Sequence, residues 1–268
     1  MRFSKGFFLF FILIILLSAC SDAYANNKQE AENGVLDLRD WDSQLYGTIQ
    51  LDGQWEFYWS QFLTHKDLQN VKPDLFATIP ESWDGYEIDG INLPGQGYAT
   101  YRLHIKTNLP ENTALGLRPY VFSSAYKLYI NQTLVAANGE VAVVPGEEIG
   151  EYKPQAVFFN VPAKEFDIII QVSNFQYARG GFWYSMSMGT PEKILDLHDT
   201  LLGKELFLIG GLLVIAMFNL AIYILRRELK YALYFSGVCL FMAIALDMVG
   251  QYVLVRLSRA LGIPCAET

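Results

Sequence analysis

The chain has 268 residues, a net charge of −8, a mean hydropathy of +0.19 and 52% hydrophobic residues. This hydrophobic fraction is higher than a soluble domain usually carries, which predicts that part of the chain lies in lipid. The acidic balance excludes nucleic acid as an expected partner, because phosphate binding requires a basic surface. The three cysteines, at positions 20, 239 and 265, leave the middle of the chain without a disulfide framework.

The first 25 residues carry the features of a bacterial export signal. Basic residues precede the apolar run Gly6–Leu17, which is too short to cross a bilayer comfortably. Two cleavage patterns follow: LSAC resembles a lipobox and would make Cys20 a lipidated N-terminus, whereas AYA at 23–25 suits ordinary cleavage. Both patterns stay open on the sequence, as does an uncleaved anchor. Each of them predicts that the chain is exported.

The region 34–195 predicts an antiparallel β-sandwich or jelly roll. In Tyr101–Lys106 (YRLHIK) apolar and polar side chains alternate, as in a strand with one buried face. Turn signals such as LPGQG and ANGE separate the apolar runs. Residues 60–71 are predicted to form a short helix, and residues 26–33 a disordered lead-in. The other predicted strands are Thr48–Trp59, Leu115–Tyr120, Tyr126–Ile130, Ala156–Asn160, Phe166–Ser173 and Phe182–Met188.

Two apolar segments near the C-terminus predict a pair of transmembrane helices. Residues 206–225 contain a single polar residue, Asn219, and residues 231–255 form a second span that includes Asp247. The short loop between the two segments is basic and is expected in the cytoplasm. The preceding domain then faces the periplasm or the outside, with the bilayer of a bacterial inner membrane as a partner. Asp247 predicts either a functional carboxylate or one with water access near the outer interface.

The order of several short motifs resembles the galactose-binding-like jelly roll. The motifs are GQWEFYW at 53–59, PESWDG at 80–85, GYATYRLHI at 97–105, SAYKLYINQTLVAANG at 124–139 and IIIQVSNF at 168–175. This module accompanies the catalytic barrel of exported β-galactosidase and β-glucuronidase type enzymes. It also forms the extracytoplasmic domain of bacterial seven-transmembrane receptors with diverse intracellular signalling modules. The receptors match better, because SNFQYARGGFW, then MGTPEKI and then an apolar segment resemble their passage from sensor to membrane.

The resemblance covers residues 34–251 and implies a sensor that acts on a downstream signalling protein. Such receptors carry seven spans and a cytoplasmic output module, whereas this sequence predicts two spans followed by a short tail, 256–268. We therefore expect a truncated receptor, and its signalling activity does not carry over to the chain as it stands.

No motif for catalysis or metal binding is present in the sequence. The three histidines, at positions 65, 104 and 198, lie far apart, and no HExxH, CxxC, GxSxG or DxDxDG pattern occurs. Carboxylate spacing alone does not exclude glycoside cleavage, but the sugar-cleaving relatives use a separate barrel of about 250 residues, for which this chain has no room. We expect no enzymatic activity, no metal site and no cofactor.

Carbohydrate binding is the sharpest prediction for the exported domain. A sugar ring stacks on an aromatic side chain, and its hydroxyls bond to amide, carboxylate or guanidinium groups. The predicted ligand contacts are Trp83, Tyr98, Arg102, Asn131, Asn174, Arg179 and Trp183. For each of them a structural role stays open, as a core tryptophan, an arginine paired with an acid, or a turn asparagine.

The sequence therefore predicts the sensor part of a membrane receptor, which binds a carbohydrate or another small soluble ligand and passes a change to its helices. The alternative is a membrane-anchored module that binds a partner protein in the envelope and takes no small ligand.

Overall fold

The computed structural model describes residues 29–42, 47–120, 125–151 and 155–249. The predicted leader, the lipidation site Cys20 and the tail lie outside these residues. The described strands are β1 (Val35–Leu38), β2 (Ile49–Gln50), β3 (Gly53–Trp59), β4 (Leu75–Ile79), β5 (Glu81–Ser82), β6 (Glu87–Ile88), β7 (Ile91–Asn92), β8 (Gly97–Thr107), β9 (Ala114–Arg118), β10 (Ala125–Ile130), β11 (Thr133–Asn138), β12 (Val157–Asn160), β13 (Glu165–Asn174), β14 (Gly181–Phe182) and β15 (Ser187–Gly189). Two helices follow, α1 (Pro191–Leu225) and α2 (Lys230–Val249).

Two sheets face each other across the core. The larger sheet has the strand order β11-β10-β13-β8-β3-β4, and β1 joins it as a parallel partner of β8. The smaller sheet has the order β12-β9-β15-β2, with antiparallel pairing throughout. The predicted fold class, a mainly antiparallel β-sandwich followed by two long apolar helices, is confirmed.

The alternation predicted in β8 places the core. Tyr101, Leu103 and Ile105 are fully buried between the sheets, while Arg102 and His104 lie half-buried on the outer face. Aromatic side chains fill much of the space between the sheets. The Trp55 and Phe182 ring centroids are 5.2 Å apart and those of Phe57 and Tyr101 4.9 Å, both in edge contact, which suits the charge distribution of aromatic rings.

Strand β13 is buried on both faces, unlike β8. Ile168 and Ile170 face the core, while Asp167, Ile169 and Gln171 on the outer face are also at most 9% exposed. Their burial follows from a cover formed by residues 60–71, called the outer segment below. The outer segment was predicted to be a short helix, but its helical part is only a 3₁₀ turn at Asp67–Gln69.

Two predicted strands are each divided in the structure. Thr48–Trp59 separates into β2 and β3, which belong to different sheets. Phe182–Met188 separates in the same way, since β14 pairs with β5 and β15 pairs with β9 and β2. The two breaks lie side by side, because the Leu51 amide donates to the Met186 carbonyl at 2.8 Å.

The described part of the polar lead-in is ordered against the sandwich, which contradicts the predicted disorder. Ala31 is 2% exposed, its amide donates to the Asp52 carbonyl, and its carbonyl accepts from Gln54. This backbone pairing attaches the chain to β3, so composition alone was a poor guide at this position.

Helix α1 begins at the end of the last strand and runs for 35 residues. Thr190 caps it, because its Oγ1 accepts a hydrogen bond from the Lys193 amide, and Pro191 occupies the first helical position. At the usual rise the helix is about 52 Å long, which exceeds the ~30 Å of a bilayer core. The first part of the helix packs on the outer face of the smaller sheet, where Ile194 is fully buried against Gly116.

Both helices are long and apolar enough to cross a membrane. They pack side by side, and the Ser236 hydroxyl of α2 donates to the Ala216 carbonyl of α1 at 2.9 Å. The predicted first span, 206–225, is the C-terminal part of α1, and α2 accounts for the described part of the predicted second span.

Candidate functional site: a groove on the outer face of the larger sheet

The predicted ligand contacts lie in separate places in the structure. Arg102 and Asn131 are on the outer face of the larger sheet, whereas Asn174, Arg179 and Trp83 surround the loop that follows β13. Tyr98 packs against Phe62 of the outer segment, with ring centroids 4.9 Å apart, and Trp183 lies beyond β14. These residues do not form one binding site.

Trp83 is a core residue. Its side chain is 0% exposed and its Nε1 donates to the Gly95 carbonyl at 3.0 Å, so no surface of the indole is open to a ligand. A Cβ on Gly180 would overlap the Trp83 ring and the Gly95 carbonyl, which explains the glycine at that position. Gly181, with φ of +104°, then turns the chain into β14.

Asn174 organises the loop that connects β13 to β14. It is 0% exposed, and its Nδ2 lies 2.8–3.0 Å from the carbonyl oxygens of Gly95, Tyr177 and Arg179. Its Oδ1 accepts from the Tyr177 amide at 3.1 Å. Both ends of the amide are thus engaged by the backbone. The Arg179 side chain is 69% exposed, and its Nε is 3.9 Å from the Asp84 carboxylate.

The outer segment is held on the larger sheet by a few specific bonds. The Thr100 hydroxyl donates to the Gln61 carbonyl at 2.7 Å and accepts from the Leu63 amide at 3.1 Å. The Gln171 side-chain amide donates to the Leu63 carbonyl at 3.2 Å. Leu68 completes the attachment, since it is buried in a small apolar cluster on the outer face of the sheet.

A groove of about 280 Å³ lies between the outer segment and the sheet. It is lined by Leu63, Thr64, His65, Lys66, Tyr129, Asn131, Gln132, Ile169 and Gln171. The groove combines an aromatic ring, three amides and a cation, and its volume is near the ~300 Å³ lower bound of common ligand sites. A wider and shallower depression of about 540 Å³ adjoins it and shares His65, Asn131 and Gln132.

An ion cluster lies directly behind the groove and is centred on Asp167, which is 2% exposed. One carboxylate oxygen is 2.8 Å from His104 Nδ1, and the other is 3.0 Å from both Arg102 and His65 Nδ1. Asn131 connects this cluster to the groove, because its Oδ1 accepts from the Asp167 backbone amide at 2.8 Å and its backbone amide donates to the Asp167 carbonyl. His65 belongs to both the cluster and the groove.

The charges of this cluster are stabilised by one another. Burial alone would raise the pKa of Asp167, but hydrogen bonds from His104 and Arg102 outweigh it and hold that pKa below its usual value. The hydrogen bond to Asp167 raises the pKa of His104, against the opposing effect of burial. Arg102 also contacts Glu56 at 3.2 Å. The cluster is therefore a set of compensated charges centred on Asp167, Arg102 and His104, and the outer segment contacts it through His65.

Asp167 and Tyr129 are the central residues of the cluster and the groove, and the sequence-based set of ligand contacts contained neither. A usable signal existed for Asp167: a single carboxylate inside the apolar run FDIIIQV of a central strand requires cationic partners. Despite the two histidines near Asp167, the described ranges, 29–42, 47–120, 125–151 and 155–249, contain no group of three or more His, Cys, Asp or Glu residues placed to hold a metal ion.

No protein-family model and no curated protein sequence matches the chain. Among solved structures, the chain is similar to a GH2 β-galacturonidase from Eisenbergiella tayi, at 13% identity and a TM-score of 0.39, over 53% of this chain and 24% of that one. It is also similar to a β-glucuronidase from Ruminococcus gnavus, at 16% identity and a TM-score of 0.39, over 54% of this chain and 28% of that one.

The chain thus spans about a quarter of the length of these solved structures. Identity and TM-score are both low, so the likeness carries no argument about activity.

Proposed function

We propose that this chain is the extracytoplasmic sensor part of a membrane receptor, and that it binds a carbohydrate or another small polar ligand in the groove beneath the outer segment. The observation that carries the proposal is the groove itself, in which the half-buried Tyr129 ring lies beside side-chain amides and above the Asp167 cluster. His65 of the groove wall lies 3.0 Å from the Asp167 carboxylate of this cluster.

The groove offers the two kinds of contact that a sugar needs. The Tyr129 ring can stack on the apolar face of a pyranose, and the exposed Gln132 amide can bond to its hydroxyl groups. A groove of about 280 Å³ suits a ligand of one or two rings rather than a long chain. Lys66 on the rim would favour a ligand that carries a carboxylate.

The helices support a place in the bacterial inner membrane. Arg226 and Arg227 occupy the turn between α1 and α2, Lys230 begins α2, and basic turns of this kind stay in the cytoplasm. The sandwich would then lie in the periplasm or outside the cell. A ligand would act by binding two arrangements of the sandwich with different affinities, and α1 would pass the difference to a downstream signalling protein.

Calorimetric titration of the full chain in lipid nanodiscs tests the ligand. We expect heat from at least one member of a panel of neutral and acidic monosaccharides and disaccharides. Tyr129→Ala should weaken that binding about tenfold, since it removes the stacking ring. Phe76→Ala is the matched control, because Phe76 is 41% exposed on the edge strand β4, far from the groove. No heat from any sugar at millimolar concentration would contradict the proposal.

A second candidate function is supported by the apolar surface beside the groove. Leu134 and Phe158, which are 51% and 47% exposed, both line the wider depression and would suit a partner protein in the envelope. In that case Leu134→Lys should abolish capture of the partner in a pull-down from envelope extract while it leaves the melting temperature unchanged. Tyr129→Ala should leave the capture intact.

A further inference from the structure

The strands β9 and β13 finish at the same end of the sandwich, called the Tyr120 end below. The chain leaves β9 at Arg118 and starts β10 at Ala125, which pairs with Ser173 at the end of β13. Residues 118–120 of the smaller sheet and 173–175 of the larger sheet therefore lie at one end.

Helix α1 runs along β9 toward this end. Its Ile194 lies over Gly116, because a Cβ on that glycine would be 3.0 Å from the isoleucine side chain. The apolar stretch 206–225 starts twelve residues later, about 18 Å along the helix. Tyr120 lies four residues beyond Gly116, about 13 Å along the strand. The apolar stretch therefore begins just past the Tyr120 end.

Electrostatics place the same residues together. Burial raises the pKa of Tyr120, and the charges of Tyr184 and Glu205 raise it further, while Arg118 lowers it. Glu205, the last residue before the apolar stretch, therefore lies within electrostatic range of Tyr120, in agreement with the distances along α1 and β9.

Aromatic side chains gather at this level. The Tyr120 and Tyr184 ring centroids are 4.3 Å apart, and Trp183 stacks parallel to Tyr184 at 6.4 Å. Tyr184 is 43% exposed. At the other end of the apolar stretch, α2 begins with Tyr231 and Tyr234, which are 68% and 69% exposed. Tyrosine and tryptophan are enriched at both interfaces of a bilayer, and this spacing matches its ~30 Å core.

Exposed apolar residues on neighbouring loops extend the surface. Val143, Val144 and Ile149 are 49%, 43% and 57% exposed. Their loop is attached to the Tyr120 end, because the Ala142 amide donates to Ser173 Oγ at 3.3 Å and Glu148 Oε1 accepts from the Phe175 amide at 3.2 Å. The exposed Tyr177 and Arg179 lie on the loop that follows Asn174.

We propose that the Tyr120 end of the sandwich rests on the outer surface of a phospholipid bilayer, with Trp183 and Tyr184 at the level of the headgroups. The proposal rests on the membrane placement proposed above. The valine loop and Tyr177 add apolar contact, and Arg179 meets lipid phosphate. A bilayer is the occupant to which the geometry points, because α1 carries this end to the depth at which its own apolar stretch begins.

Quenching by brominated lipids tests the contact in the full chain. The five tryptophans are at positions 41, 55, 59, 83 and 183, so the helices contain none, and the difference between the wild type and Trp183→Phe isolates the emission of Trp183. We expect nanodiscs with bromine near the headgroup end of the acyl chains to quench this component about twofold more than nanodiscs with bromine near the chain ends. Equal quenching by the two lipids, or none, would overturn the proposal.

A tryptophan placed in the middle of the span separates this proposal from the one on which it rests. Phe218→Trp in the Trp183→Phe background adds a reporter at an exposed position of α1. Deep bromine should quench it strongly. If it does so while Trp183 shows no preference for shallow bromine, the helices span the bilayer and only the resting surface is wrong. If deep bromine leaves the new tryptophan unquenched, both proposals fail.

Discussion

The two outer faces of the sandwich are covered in different ways. The larger sheet is covered by the outer segment, which has a single 3₁₀ turn, leaves a groove, and is attached through polar bonds and the Asp167 cluster. The smaller sheet is covered by the start of α1, a regular helix whose Ile194 packs into the space left by Gly116. Hydrogen bonds within the protein can be replaced by hydrogen bonds to water or to a ligand, whereas close-packed apolar contacts transmit displacements from one element to the next. The first face is thus suited to binding and the second to attachment.

The largest expected effect on stability follows from removing the Asp167 charge beneath the outer segment, on the outer face of the larger sheet (the polar face below). Asp167→Asn leaves Arg102 and two histidines around a neutral amide, and we expect the free energy of unfolding to fall by about 3–5 kcal/mol, as for a broken buried ion pair. Urea titration of the full chain in mild detergent, followed by tryptophan emission, measures the loss.

Glu165→Gln is the control for that substitution. Glu165 also faces His104, but its side chain is 62% exposed, so its replacement should change the free energy of unfolding by less than about 0.5 kcal/mol. If Asp167→Asn lowered the free energy of unfolding no more than Glu165→Gln does, the buried carboxylate would not stabilise the polar face.

On the outer face of the smaller sheet, Ile194→Ala should have the next largest effect on stability. The substitution opens a cavity between α1 and the smaller sheet, and we expect a loss of about 2–3 kcal/mol together with faster hydrogen exchange in the first turns of the helix. Leu195→Ala is the matched control, because the neighbouring side chain is 45% exposed. Equal exchange rates in the two variants would show that α1 is not held by this contact.

A smaller effect distinguishes the two faces by pH. The raised pKa of His104 stabilises the fold fully below its unfolded value of about 6.5, and this contribution is lost as the pH rises through the folded value. The lowered pKa of Asp167 contributes above about 3.9 and is lost as the pH falls through the folded value. Stability from this face should therefore be greatest between about pH 4 and pH 6.5.

In His104→Gln, stability should no longer decline above about pH 6.5, and hydrogen exchange in α1 should equal that of the wild type at each pH. Urea titrations of the full chain from pH 4 to pH 9 measure the difference. If the free energy of unfolding of the variant fell with pH as steeply as that of the wild type, a group other than His104 would be responsible for the decline.

The sheets could be predicted from the sequence because their strands obey simple alternation. YRLHIK predicted a half-buried strand, and in the structure Tyr101, Leu103 and Ile105 face the core. The divided strands could not be predicted, because the breaks after Gln50 and Phe182 depend on pairing partners far away in the sequence. Local patterns show that a segment is extended, but the neighbouring strand is chosen by the whole fold.

The candidate site was predicted only in part, for a related reason. Arg102 and Asn131 were chosen for their hydrogen-bonding groups, and both lie beside the groove or its ion cluster. Trp83 was chosen for its ring and Asn174 for its amide, but the core buries the ring and a loop uses the amide. Residue type reveals what a side chain can bond to. Only the fold decides whether a ligand or the protein itself supplies the partner.

The continuity of α1 from the sandwich into its apolar stretch has a consequence for rotation. Each residue of a helix turns the chain by about 100° and advances it by about 1.5 Å. A single residue inserted between Ile194 and Leu206 would therefore rotate the sandwich and its groove by about 100° about the helix axis relative to α2. Four inserted residues would nearly restore the original orientation. The orientation of the groove relative to the helix pair is set by the number of residues in one uninterrupted helix.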